Sequence, residues 1–409
     1  MTAIGIMSLS EPGHINATIR LRNELLERGH DVRYVIDNHG NGEEEFYSER
    51  GLPVVRLYYE PDGKPKIMGF NPDVAVVESV LVQQAILAWH FSLPTIKLSS
   101  TFSQRYDPRL PPLTSDLHPR DGSDFPAQVE AAWRDEHGKK SRWKSETWYQ
   151  QCLEFAASRG FPKEWLDGRA AIDVTFNLPE LNLAPQELDF ERSYPDLFYA
   201  GPCVELDRDE SGRGPMPRLP PDRPIVYFAL GTQTHRYSNV VERVSLVAST
   251  ARLLPDVHFV WAWNDESTMT IPNLPHNFVQ VSRAPQLALL RRASLMVTHG
   301  GLNSVKEALC LGVPLLVLPC DLDQPGNAAR LEFHGYGRRT SWETTAAELA
   351  ASIRAALNDD VMRKRVLNLS EHFESALANR EALQAFQRCF EYSLRLRKQA
   401  NYPMLATAI

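Results

Sequence analysis

Cysteine is scarce: five residues in 409, at positions 152, 203, 310, 320 and 389, with no C-x-x-C pair among them. That spacing excludes a disulfide framework and a zinc knuckle, and it predicts reduced thiols. A basic excess is also missing, with 44 Lys and Arg against 51 Asp and Glu, so a nucleic-acid backbone is excluded as a partner. The most apolar stretch, VAVVESVLVQQAILAW, is interrupted by Glu78, Gln83 and Gln84, which excludes a transmembrane segment there. The chain opens directly on a strand-like run, AIGIMSL, without a basic leader or cleavage site, and a cytoplasmic location is expected. No period of 20 to 50 residues recurs, so a solenoid is excluded. G-x-G-x-x-G follows neither leading strand, which speaks against a dinucleotide-dependent dehydrogenase.

What is present is alternation. AIGIMSL, DVRYVI, PVVRLYY, DVAVVES and PTIKLSS read as strands, and Ile15, Ile19, Leu25 and Leu26 recur at helical spacing up to Gly29. A helix is expected from about Leu81 to Phe91. Strands alternating with helices predict a parallel sheet covered on both faces. Residues 103–170 break this rhythm with a Pro-rich loop and an aromatic-rich helical insertion carrying Trp133, Trp143 and Trp148. These aromatics either pack the insertion's own core or wall an apolar ligand pocket. The stretch DRDESGRGPMPRLPPDRP buries little and reads as a linker over 207–223. Beyond it PIVYFAL, HFVWAW, NFVQV, SLMVT and VPLLVLP predict a second parallel sheet. The expected domains are therefore 1–206 and 224–385, with a terminal helix over 386–409 packing back on the first domain.

The sharpest constellation is THGGLNSVKEALCLGVPLLVLPCDLDQPGNAAR, residues 298–330. A strand ends at Thr298, Gly300 and Gly301 follow His299, and a helix carries Asn303, Ser304 and Glu307. Glycines allow close approach to the backbone, and the N–H groups of a helix start form an anion site suited to a diphosphate. Ser304 and Asn303 add donors, and Glu307 is an acceptor suited to ribose hydroxyls.

The run His299, Gly301, Asn303, Ser304, Glu307, Gly312, Pro314, Pro319, Asp323, Gln324 resembles the donor signature of family 1 glycosyltransferases, matching at ten positions over 26 residues. RAPQ at 283–286 resembles the family's W-x-P-Q element; GPCVELDR, ALGTQT and PGH extend the likeness over nearly the whole chain. Bacterial natural-product and carotenoid enzymes look nearest. The resemblance implies the GT-B fold, two Rossmann-like parallel-sheet domains facing across a cleft. It implies that His299, Gly300, Gly301 and Ser304 meet the donor diphosphate with Asn303 in support, that Glu307 holds the ribose, and that Asp323 and Gln324 bind the sugar. Thr232 is implied near the phosphates, and Arg283, Ala284 and Gln286 at the nucleobase. Arg283 stands where the family has an aromatic, and its guanidinium plane can stack on a base in that ring's place.

In SEPGHINATIR, His14 falls at the first turn of a helix, where the dipole disfavours the imidazolium and leaves a ring able to accept a proton. The family places its catalytic base at this P-G-H position and a carboxylate partner after a later strand, here Glu78, where Asp is more common. Glu78 reads equally as a solvated strand-end carboxylate. The implied chemistry is inverting transfer of a sugar from a nucleotide donor, UDP-glucose first and a dTDP-sugar second, to a hydroxyl of an apolar small molecule. No metal is expected; Asp321 and Asp323, the nearest approach to a cation pair, are assigned to the sugar side. The chain is expected as a monomer or homodimer. A nucleotide-sugar epimerase of the same fold and a non-catalytic nucleotide-sugar-binding subunit stay open.

Overall fold

The computed structural model describes residues 1–37, 43–48, 50–59, 65–67, 69–120, 122–143, 146–170, 174–175, 177–210, 213–231, 239–263 and 273–399. The chain divides into two compact units, one made of 1–112, 126–203 and 377–409, the other of 113–125 and 204–376.

The first unit begins β1 (Ala3–Met7), α1 (Pro12–Glu27), β2 (Asp31–Asp37), α2 (Glu43–Ser48), β3 (Val54–Tyr59) and β4 (Pro65–Ile67). It continues β5 (Val74–Glu78), α3 (Val82–His90), β6 (Thr95–Ser99), α4 (Phe125–Trp143), α5 (Glu146–Ser158), β7 (Glu180–Asn182) and β8 (Leu197–Tyr199). The sheet order is β4-β3-β2-β1-β5-β6-β7-β8. All pairings are parallel except the β3–β4 hairpin. Strand β5 shows why the sequence folds this way: VAVVE is buried along its whole length. Its Val74 and Val76 join the core under α1, while Ala75 and Val77 join the one under α3 and α5. A strand apolar on both faces belongs in the middle of a parallel sheet.

The second unit comprises β9 (Ile225–Ala229), α6 (Val240–Leu253), β10 (His258–Trp263), β11 (Phe278–Ser282), α7 (Gln286–Leu290), β12 (Leu295–Thr298) and α8 (Leu302–Cys310). It ends with β13 (Leu315–Val317), α9 (Gln324–His334), β14 (Gly337–Arg339), α10 (Ala346–Leu357) and α11 (Asp360–Ala378). Its sheet runs β11-β10-β9-β12-β13-β14 and is parallel throughout. The last helix, α12 (Glu381–Gln399), packs on α1, β6, β7 and β8 of the first unit.

Three boundaries differ from the sequence expectation. The insertion divides, because residues 113–125 group with the second unit, where the Leu113 carbonyl accepts from Gly326 N–H at 2.8 Å. A Cβ at Gly326 would lie 2.4 Å from that oxygen, so only glycine admits the contact. The second unit starts at 204 and takes in the stretch read as a linker. The terminal helix starts at 381, and the chain rejoins the first unit from 377. Among the described residues no helix is long and apolar enough to cross a membrane.

Candidate active site

In an open parallel sheet ligands gather at the carboxyl ends of the strands where the chain reverses its winding direction. In the first unit that place is β1, flanked by β2 and β5. Pro12 and Gly13 open α1 just beyond it and set His14 in the helix's first turn, with its N–H on the Glu11 carbonyl at 3.0 Å. Glu78 ends β5, Ser8 follows β1 and Ser100 lies one residue past β6, so three adjacent strand ends converge on one imidazole.

The His14 Nδ1 meets Glu78 Oε1 in a close hydrogen bond. Ser100 Oγ donates to the same oxygen at 2.6 Å and lies 3.0 Å from Nδ1. The other oxygen, Oε2, accepts from Ser8 Oγ at 2.6 Å and from Leu9 N–H at 2.9 Å. Burial pushes the Glu78 carboxyl up, but the His14 bond and charge, with the Ser100 and Ser8 hydroxyls, outweigh it and hold its pKa below the ordinary value. Glu78 is 1% exposed. The solvated strand-end alternative is therefore corrected: this is a buried, fully engaged carboxylate. Donation from Nδ1–H to Glu78 puts the basic lone pair on Nε2, and the carboxylate stabilises the cation formed when Nε2 takes a proton. The His14 side chain stays 28% exposed, enough to meet a substrate. Sequence reasoning missed Ser8 and Ser100, although hydroxyls at strand ends beside a candidate base were a readable signal.

The second unit repeats the logic at β9 and β12, its own reversal point. Strand β12 ends at Thr298, His299 follows, and Gly300 turns with φ +96°. A Cβ on Gly300 would sit 2.8 Å from Val317 Cγ1, so the turn demands glycine both conformationally and sterically. Gly301 caps α8, whose start carries no side-chain cap bond and no acidic residue in its first turn. That leaves the positive end of the helix compatible with an anion.

Burial depresses the His299 ring, aided by the Arg243 charge; Asp323 and the Ala229 carbonyl oppose this, and its pKa settles at about 4. An unfolded chain binds its proton near the ordinary value of about 6.5, so between pH 6.5 and 4 the unfolded state holds more protons and stability falls on acidification. With allowance for solvent access, wild type should lose about 1 kcal/mol more than His299→Asn between pH 7 and 5. Chemical denaturation of both proteins at the two pH values checks this.

Glu307, 5% exposed on α8, anchors a network. Arg208 binds it through both terminal guanidinium nitrogens, Nη1 to Oε1 and Nη2 to Oε2 at 3.0 Å, and Gln286 Nε2 donates to Oε2 at 2.7 Å and to Ser304 Oγ at 3.3 Å. Tyr227 O–H donates to Gln286 Oε1 at 3.2 Å. The Gln286 carboxamide thus turns toward Glu307 and Ser304. Burial works against the Arg208 charge, but its bonds to Glu307 and Glu210 prevail and raise its already high pKa.

The remaining candidates fall as follows. Asp323 accepts from Asn327 Nδ2 at 2.9 Å. Gln324 Oε1 accepts from Cys320 N–H at 2.9 Å and Asp321 N–H at 3.3 Å, so its carboxamide closes the 320–324 loop. Arg283 is exposed, with φ +48°, and Ala284 beside it is buried. Asn303 is half-buried on α8. Thr232 and the Trp143 side chain lie outside the described residues. Trp133 is buried, its indole N–H donating to the Asp107 and Leu110 carbonyls at 3.1 and 2.9 Å, and Trp148 packs against the core under α3. The structure therefore corrects the expected place of Trp133 on an acceptor wall, since its ring fills the insertion's own core; Trp148 is half-buried against the core shared with β5 and α3.

Two Rossmann-like parallel-sheet units, each with polar chemistry gathered at its reversal point, define a protein of the GT-B fold. Residues 220–376 match the family of UDP-glucoronosyl and UDP-glucosyl transferases. The zeaxanthin glucosyltransferase of Pantoea ananas is 26% identical over 404 residues, 87% of this chain and 88% of that protein. The NDP-glycosyltransferase YjiC of Bacillus licheniformis is 22% identical, covering 91% of this chain and 94% of its own length. Among solved structures, the glycotransferase of kitacinnamycin superposes with a TM-score of 0.72 at 20% identity, over 95% of this chain and 98% of that one. The chain is a glycosyltransferase of the GT-B fold.

Proposed function

We propose that this enzyme transfers a hexose from a nucleoside diphosphate sugar, UDP-glucose first, to a hydroxyl of an apolar small molecule with inversion at the anomeric carbon. The observation that carries the reading is the His14–Glu78 pair, a base oriented by a buried carboxylate. An alcohol is a weak nucleophile until its proton is drawn off, and His14 Nε2 is the atom placed to take it. The oxygen then attacks the anomeric carbon and the sugar–phosphate bond breaks. The diphosphate leaves with its charge met by the amides and dipole at the start of α8, with Ser304 adding a hydroxyl donor. Glu307 takes ribose hydroxyls, and Asp323 with Gln324 takes those of the sugar. The reading routes no step through a metal.

Named relatives support a natural-product role: one acts on zeaxanthin by name, and the oleandomycin glycosyltransferase of Streptomyces antibioticus is 26% identical over 384 residues. The test is incubation with UDP-glucose, whose anomeric bond is α, and a panel of apolar alcohols. A β-glucoside identified by its anomeric coupling supports the reading. Retention of configuration overturns the mechanism, and an epimerised sugar formed from donor alone supports the epimerase instead.

A further inference from the structure

Glu307 faces three donors already. Arg208 covers both of its oxygens and Gln286 adds a second bond to Oε2. An ionised carboxylate offers about four acceptor positions, so a single one stays open. A ribose brings two neighbouring hydroxyls, O2′–H and O3′–H, whereas a 2′-deoxyribose brings O3′–H alone. The deoxy sugar can use the open position without disturbing anything; the ribose can bind through both hydroxyls only if an existing bond yields.

Of the two residues that donate to Glu307, Arg208 is the one with another place to go. Its side chain is 19% exposed and rises from the Pro- and Gly-rich stretch. Its Nη2 already lies 3.4 Å from Glu210 Oε1. Glu210 is itself fixed, accepting from the Leu287 N–H at 3.1 Å and the Ala288 N–H at 3.3 Å. Gln286, by contrast, is held from behind by Tyr227 and also bonds Ser304. A guanidinium poised between two carboxylates can release one without losing a charged partner.

We propose that Arg208 is a specificity residue of the donor site, which taxes a ribose diol by holding both Glu307 oxygens and so narrows the preference for ribonucleotide over 2′-deoxyribonucleotide donors. The proposal rests on the reading that Glu307 receives the donor pentose. Its consequence is an enzyme able to draw on both UDP- and dTDP-type donors.

Calorimetric titration of UDP and 2′-deoxy-UDP, which share base and diphosphate, into the full chain tests it. For Arg208→Ala, UDP should bind about tenfold tighter, the scale of one charge-assisted hydrogen bond, and the deoxy nucleotide should change by no more than about twofold. For Glu210→Gln, where the waiting partner is gone, UDP should weaken more than deoxy-UDP. If Arg208→Ala weakens both nucleotides alike, Arg208 only orients Glu307 and the proposal is overturned; an unchanged ratio overturns it too. Should Arg208→Ala fail to fold, Glu210→Gln decides alone, a constant ratio there again counting against the proposal. Absence of binding by either nucleotide to wild type removes the donor-site reading itself and the proposal with it.

Discussion

His14→Ala is expected to lower sugar transfer by about a hundredfold or more while leaving affinity for UDP unchanged. The substitution removes the atom that accepts the acceptor's proton, yet Glu78 keeps Ser8, Ser100 and the Leu9 amide as hydrogen-bond donors. No buried carboxylate is stranded, so the variant should fold. The described residues read as donor contacts lie at 283–286, in the loop after β12, on α8 and at the start of α9, all in the second unit, whereas His14 belongs to the first. Steady-state kinetics with a good acceptor, paired with calorimetric UDP binding, separates the two effects; undiminished turnover takes His14 out of the mechanism.

Glu78→Gln should cost as much or more, on the order of a thousandfold or greater, for a reason a simple loss of charge does not capture. A carboxamide has one acceptor end and one donor end. If its NH2 takes the place of Oε2, it meets the Leu9 N–H, a main-chain donor that cannot turn away. If it takes the place of Oε1, it faces His14 Nδ1, which must then accept, while the Ser100 hydroxyl is free to rotate. The second arrangement wins because only it avoids two opposed donors. It forces the imidazole proton onto Nε2, and a protonated Nε2 cannot serve as base. The loss should therefore appear in kcat with KM for the donor little changed. A Glu78→Asp variant, which preserves the carboxylate, should recover part of the rate.

The alternating strands and helices of both sheets were legible because runs such as VAVV and LMV are apolar throughout, the pattern of strands covered on both faces. Strands β4, β7, β8 and β14 were not, since three residues carry no periodicity to read. His14 and Glu78 are 64 positions apart, and only the sheet order, which sets β5 beside β1, brings them into contact. The split insertion depends likewise on one distant contact, Leu113 with Gly326. Arg208 escaped notice because a charge among prolines and glycines reads as solvated, whereas here it turns inward to a buried acid. The inward turns of Gln286 and Gln324 are rotamer choices set by neighbouring donors and acceptors, which residue type alone does not specify.

The proposed transfer requires the loop and helix start at residues 299–304 to seat the donor's diphosphate. Solving the structure of the enzyme with bound UDP tests it most directly. The β-phosphate oxygens are expected within hydrogen-bond distance of the amides at Gly300 to Ser304, with the ribose on Glu307. A diphosphate found elsewhere, with those amides facing only solvent or the protein's own side chains, would contradict it.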